Sequence, residues 1–191
     1  MLRIRFLVLS FLLITAPAFA GNATGSVGIE LGLGYHSNYG IFGVGARYFA
    51  TENLDFHLTS GADYAGKQTG LGLRHYFLNF DTGCFISFNC ESNLYAGGTY
   101  LLSTGGLVSV TNNGITGDYD YSRGDSISAT FGMFQRLGSL TSSVELGYRK
   151  WNKKPEATFK SGTLSQDQLD KMNSNVKDTL TLAATIGWLF D

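Results

Sequence analysis

Residues 176–190 constrain this chain more than any other stretch. Leu180, Leu182, Ala184, Ile186, Trp188 and Phe190 fall on one face of an extended strand; Thr179, Thr181, Ala183, Thr185 and Gly187 fall on the other. Alternation with period two is the mark of a strand with two unlike faces. The polar face of a soluble sheet is rich in Lys and Glu. Here it is Thr, Ala and Gly, which suits the inside of a narrow barrel. The apolar face ends in Trp and Phe, which suits lipid and an interfacial aromatic girdle. If this strand closes a membrane barrel, the rest of the chain must supply its partners.

The same alternation recurs upstream. Residues 26–36 set Val27, Ile29, Leu31, Leu33 and Tyr35 against Gly28, Glu30, Gly32, Gly34 and His36. Residues 41–50, 54–64, 68–77, 93–103, 126–136 and 141–151 repeat the pattern, so the expected count is eight strands. Each is about ten residues, the length of a tilted membrane strand. Ser37-Asn38-Tyr39-Gly40, Thr51-Glu52-Asn53, Ala65-Gly66-Lys67 and Leu137-Gly138-Ser139-Leu140 read as tight turns. The connection 78–92 is longer. The connections 104–125 and 152–175 are long and polar. The first holds a hairpin signal, Val108 and Val110, then Asn112-Asn113-Gly114, then Ile115. In the second, the spacing of Leu164, Leu169 and Met172 predicts a short helix over 165–175. With the N-terminus in the periplasm, both long connections point outward and the turns after strands two and six are short, as periplasmic turns are. The fold class expected is all-β, an eight-stranded antiparallel up-and-down transmembrane β-barrel. A soluble lipocalin-like barrel has the same strand count with the faces inverted. Alternation alone does not say which face is inside. The aromatic-ended apolar faces, the Gly-rich polar faces with paired charges, and Phe190 near the C-terminus favour the membrane.

The N-terminus supports export. Arg3 and Arg5 precede an apolar run, 6–14, and Ala18-Phe19-Ala20 forms a cleavage site. Residues 1–20 are therefore expected to be a signal peptide and residues 21–191 the outer-membrane barrel domain. The composition agrees, with 25 Gly, 14 Phe, 10 Tyr and only 2 Pro. The formal net charge is −1, and loss of Arg3 and Arg5 makes it more acidic, so no nucleic-acid partner is expected. The chain has two cysteines, Cys84 and Cys90. In an oxidising compartment a local disulfide is the simplest reading, two free thiols the alternative. The pair is too close and too isolated for a metal site. No phosphate loop, metal cluster or nucleotide fingerprint is present, so neither a cofactor nor an enzymatic activity is expected.

Short motifs carry a resemblance. These are Gly45-Ala46-Arg47-Tyr48-Phe49 followed by Thr51-Glu52-Asn53-Leu54, then Leu71-Gly72-Leu73-Arg74-His75-Tyr76-Phe77, then Leu146-Gly147-Tyr148-Arg149. They resemble the strand ends and periplasmic turns of the small outer-membrane barrel family typified by the OmpA transmembrane domain and OmpX. The resemblance implies an outer-membrane location and recognition by the barrel-assembly machinery. The family's assembly signal is similar to a last strand ending in Phe; here Asp191 follows Phe190.

The inward positions carry Glu30, Arg47, Asp55, His57, Asp63, Arg74, Glu145 and Arg149. Eight strands enclose only enough room for side chains. Charges sealed there must pair. Glu30, Arg47, Asp55, His57, Arg74, Glu145 and Arg149 are therefore expected to form an interior network of ion pairs and hydrogen bonds. The structural version is a filled plug; the functional version is a gate for a narrow pore. At the outer rim, His36, Ser37 and Asp63 are an acyl-transfer set on paper, the basis of an alternative reading as a lipid-modifying enzyme. Adjacent strand residues point to opposite faces, so His36 and Ser37 meet only if the turn bends them. Asp118-Tyr119-Asp120-Tyr121 is either a contact site for a cation or partner, or a solvated loop. The expected partners are outer-membrane lipids and lipopolysaccharide, and a surface ligand at 104–125 and 152–175. A monomer is expected.

Overall fold

The computed structural model describes residues 24–82, 90–112, 115–163 and 166–190. The expected signal segment, Cys84, and Asp191 lie outside the described residues.

Ten antiparallel strands form one sheet. They are β1 (Val27–Ser37), β2 (Gly40–Thr51), β3 (Leu54–Asp63), β4 (Gly66–Thr82), β5 (Cys90–Asn112), β6 (Ile115–Tyr121), β7 (Gly124–Leu137), β8 (Leu140–Lys153), β9 (Ala157–Gly162) and β10 (Thr179–Phe190). One helix, α1 (Gln166–Asn175), precedes β10. The order β4-β3-β2-β1-β10-β8-β7-β5 closes on itself through a β4–β5 pairing, giving a ring of eight strands. The closing strand β10 lies between β1 and β8, with Val27 opposite Phe190 and Arg149 opposite Thr179.

The faces are sorted as the alternation predicts, and their direction is fixed. The apolar face points out: Leu71 and Leu180 are each 63 % exposed, and Leu31, Phe42, Leu58, Ile127, Phe131, Leu146 and Trp188 lie on the same outer surface. The polar face points in, with Arg74 and Asp55 fully buried. This is the inverse of a soluble barrel, which buries its apolar face.

Three expectations about the connections need correction. β4 and β5 run further than the alternation indicated, to Thr82 and from Cys90, so residues 78–82 and 90–92 of that connection are strand. The two remaining strands come from the long polar connections. The Val108–Ile115 signal is a hairpin, with Asn112 opposite Ile115 in the β5–β6 pair. The second connection holds not only its helix but also β9, which adds to β6. The sequence marks β9 weakly, because only Ala157 and Phe159 alternate before Lys160, which the register shift at Asp118/Tyr119 leaves unpaired. Finally, Ser37-Asn38-Tyr39-Gly40 is not a simple surface turn. Asn38 and Tyr39 are 1 % and 0 % exposed, because the turn folds down into the ring. His36 at φ 50° and Gly40 at φ 68° make that reversal. At Gly40 only the lack of a Cβ allows both the left-handed backbone and the close Ala62 carbonyl.

The upper part of β5, β6, β9 and α1 make a cap beyond one end of the ring. Its core is Tyr119, Tyr121, Ala157, Met172 and Val176, joined by Ala65 from the β3–β4 turn and Trp151 from β8. Ala65 and Trp151 come from opposite sides of the ring, so the cap lies across its opening. Tyr119 and Tyr121 therefore serve as core residues and not as exposed contacts.

Candidate functional site

The interior divides into three layers. Nearest the chain ends is an aromatic layer of Phe49, Tyr76, Tyr95, Phe134 and Leu189, all essentially unexposed. The rings pack tilted or edge-on, with Tyr76 5.5 Å from Tyr95 and 5.7 Å from Phe134.

Above it lies the charged layer. Arg47 pairs with Glu30, and the Tyr39 hydroxyl donates to the same carboxylate. Arg74 is the hub. Its guanidinium lies 3.6 Å from Glu30, 3.9 Å from Asp55 and 3.4 Å from Glu145. It also donates to the Tyr39 hydroxyl at 3.0 Å. Tyr76 and Tyr95 reach up from the aromatic layer, donating to Asp55 at 2.6 Å and to Glu145 at 2.9 Å. His57 stands 3.6 Å from Asp55 and 2.9 Å from the Thr99 hydroxyl. The guanidinium carbons of Arg47 and Arg74 lie 4.7 Å over Phe134 and 5.2 Å over Tyr95, so the two layers interlock.

The infolded turn is part of this site. Asn38 accepts from Ser128 at 2.6 Å and donates to Glu145 at 3.5 Å, reaching β7 and β8 across the interior. Gln68 donates to the Ser37 carbonyl at 2.7 Å. Tyr39 sits where Gly32 leaves space: a Cβ on Gly32 would clash with its ring. Nothing in the sequence pattern singled out Tyr39. The available signal was the run of glycines facing it, Gly32 and Gly45, which reads equally well as generic strand composition.

The third layer closes the top. Arg149 donates to Asp63 at 2.7 Å and to Ser126 at 2.8 Å, and its guanidinium lies 4.1 Å over Trp151. Asp63 is on β3 and Arg149 on β8, which stand diametrically opposed in the ring, four strands apart either way. The pair therefore bridges the whole opening. His36 lies 3.9 Å from Asp63. Of the seven residues expected in one network, six are brought together around Arg74; Arg149 belongs to this separate upper bridge.

The rim set of His36, Ser37 and Asp63 is not aligned for acyl transfer. The Ser37 hydroxyl donates to the Gly40 carbonyl at 2.9 Å and accepts from the Tyr39 N–H at 3.2 Å. Asp63 is held by Arg149. Cys90 opens β5 opposite Thr82 and is buried; its expected partner Cys84 is outside the described residues. Among the described residues no group of three or more His, Cys, Asp or Glu side chains is arranged to hold a metal ion.

In the cap, Asp118 accepts from Ser109 and from Ser161, each at 2.6 Å, tying β5, β6 and β9 together. These two hydrogen bonds hold its carboxyl below the ordinary carboxylate range. Burial pushes the Tyr121 phenol up to about 12. The hydroxyls of Tyr119 and Tyr121 donate to Gln168 and to the Met172 carbonyl, pinning α1 onto the sheet.

No protein-family model and no curated protein sequence matches the chain. Among solved structures it is similar to the N-terminal β-barrel domain of Pseudomonas aeruginosa OprF. The TM-score is 0.54 at 12% identity, over 88% of this chain and 100% of that one. At that identity the likeness is one of fold: the chain shares the architecture of that β-barrel domain.

Proposed function

We propose that the protein is an eight-stranded up-and-down barrel spanning the bacterial outer membrane, closed to ions, that acts at the cell surface through its cap. The observation that carries this is the Arg149–Asp63 bridge across the full ring beneath an apolar lid. Below that bridge the infolded turn and the Arg74 network fill the interior. The continuous apolar belt supports the membrane setting, since a soluble barrel with that surface would aggregate. The long connections 104–125 and 152–175 then form one folded module presented outward, suited to a surface ligand, with outer-leaflet lipids around the belt. The assembly machinery would read β10 with Asp191 following its terminal aromatic. A Cys84–Cys90 bridge and a signal peptide over residues 1–20 belong to the same reading. The Ser37 hydroxyl is committed to the turn, which favours a structural and binding role over a rim-site enzyme.

The purified protein in a planar bilayer tests the closed state: no stepwise current over a wide voltage range is expected. A steady open channel in the wild type would sink it. Replacing residues 106–121 by a tight turn tests the cap: the barrel should keep its heat-dependent gel shift while surface-ligand binding is lost.

A further inference from the structure

The outer face of the ring is not uniform at its cap end. On β7 and β8 the apolar belt gives way directly to cations. Lys150 follows Tyr148 on the outer face of β8 and lies opposite Ile127, which lies opposite Tyr100 on β5. Tyr100, Ile127 and Tyr148 are half exposed, so Lys150 stands at the upper edge of an aromatic belt. A register shift at Asp125/Ser126 skips Asn152 and puts Lys153 opposite Asp125. The shift matters, because simple alternation would have turned Lys150 and Lys153 to opposite faces; the bulge turns both outward. Lys154 and Arg123 are exposed beside them. Among the described residues none of these four cations is held in an ion pair. The nearby acids are engaged: Asp125 accepts from Asn152 at 2.9 Å and Asp178 from the Trp151 N–H at 3.0 Å. Glu156, further along the connection, is the exposed acid of the group. The outer ends of β1 to β4 differ. There the belt ends in Tyr35, Ile41, Phe42 and Tyr64, with Lys67 as its cation.

An apolar strip, an aromatic edge and unpaired ammonium groups in that order match one ligand chemistry: acyl chains below and a phosphate-bearing headgroup above. We propose that the β7–β8 face binds a phosphorylated lipid of the outer leaflet, with Lys150 and Lys153 on its phosphates and Tyr148 and Ile127 against its acyl chains. This deepens the membrane-barrel reading and rests on it, since that reading sets the depth of Lys150.

The test titrates the full chain in detergent micelles with diphosphoryl lipid A, with the same lipid stripped of its phosphates, and with inorganic phosphate. Tight binding is expected for the first alone, weakening as salt rises. Lys150→Gln or Lys153→Gln should each weaken it about fivefold, and the double variant roughly twenty-five-fold. Lys67→Gln, on β4 and separated from β7 by β5, should leave it unchanged. Equal affinity for the dephosphorylated lipid, equal affinity for inorganic phosphate, or a double variant that binds like wild type would each overturn the proposal. Failure of the barrel reading itself shows separately, as a wild-type protein without a heat-dependent gel shift, and takes this proposal with it.

Discussion

The ring and its cap are built on opposite plans. The ring turns its apolar residues out and buries Glu30, Arg47, Asp55, Arg74 and Glu145. The cap turns Ser109, Thr116, Thr158 and Lys160 out and buries Tyr119, Tyr121, Met172 and Val176. One chain switches plan within β5, which is inverted around Gly105 and Gly106 at φ 71° and 147°. The difference teaches what holds each part. The cap is held as soluble domains are, by apolar burial. The ring uses that force inside only in its aromatic layer, and otherwise relies on closed strand pairing and mutually compensating charges. In the cap, losing one contact leaves a cavity. In the ring, losing one partner leaves a buried charge, which costs more. Trp151 belongs to both, stacked on Arg149 below and packed into the cap core above.

The largest effect should therefore come from the hub. Arg74→Leu leaves Glu30, Asp55 and Glu145 short of a cation and should cost the barrel about 3–5 kcal/mol, read from urea unfolding in micelles. A loss no bigger than for a surface lysine would show that the interior charges are solvated and the contrast with the cap false. Met172→Ala should cost about 2–3 kcal/mol, confined to the cap. Limited proteolysis should then cut residues 157–175 while the barrel keeps its gel shift; simultaneous loss of both would show one cooperative unit. Gly32→Ala should cost about 1–3 kcal/mol by pushing Tyr39 from its seat, and small currents in a bilayer should appear as the turn leaves the interior. The smallest effect is Asp118. Its depressed pKa means that its support of the β5–β6–β9 sheet is present above the ordinary carboxylate range and fades as pH falls through the lower folded value. Cap protection in hydrogen exchange should fall on that acid limb, and Asp118→Asn should flatten it.

Much of the ring was legible in the residues. Period-two alternation located all eight ring strands, and even the paired inward charges, because side-chain direction in a strand follows sequence parity alone. The cap was half legible. Asn112 and Ile115 marked its hairpin and Leu169 and Met172 its helix. β9 and the burial of Tyr119 and Tyr121 were not legible, since they depend on a pairing between two connections about forty residues apart. Tyr39 was missed for the same reason: a turn residue belongs to the interior only when the glycines of other strands make room.

By itself, then, the sequence determined the strands, their two faces and the charges between them, because those follow from local backbone geometry. Only the tertiary structure decided which face was inside and which charges met. It also decided that Arg149 bridged to Asp63 under a lid and not to the Arg74 network. Those outcomes depend on which strands stand opposite one another when the ring closes, and closure is a property of the whole chain.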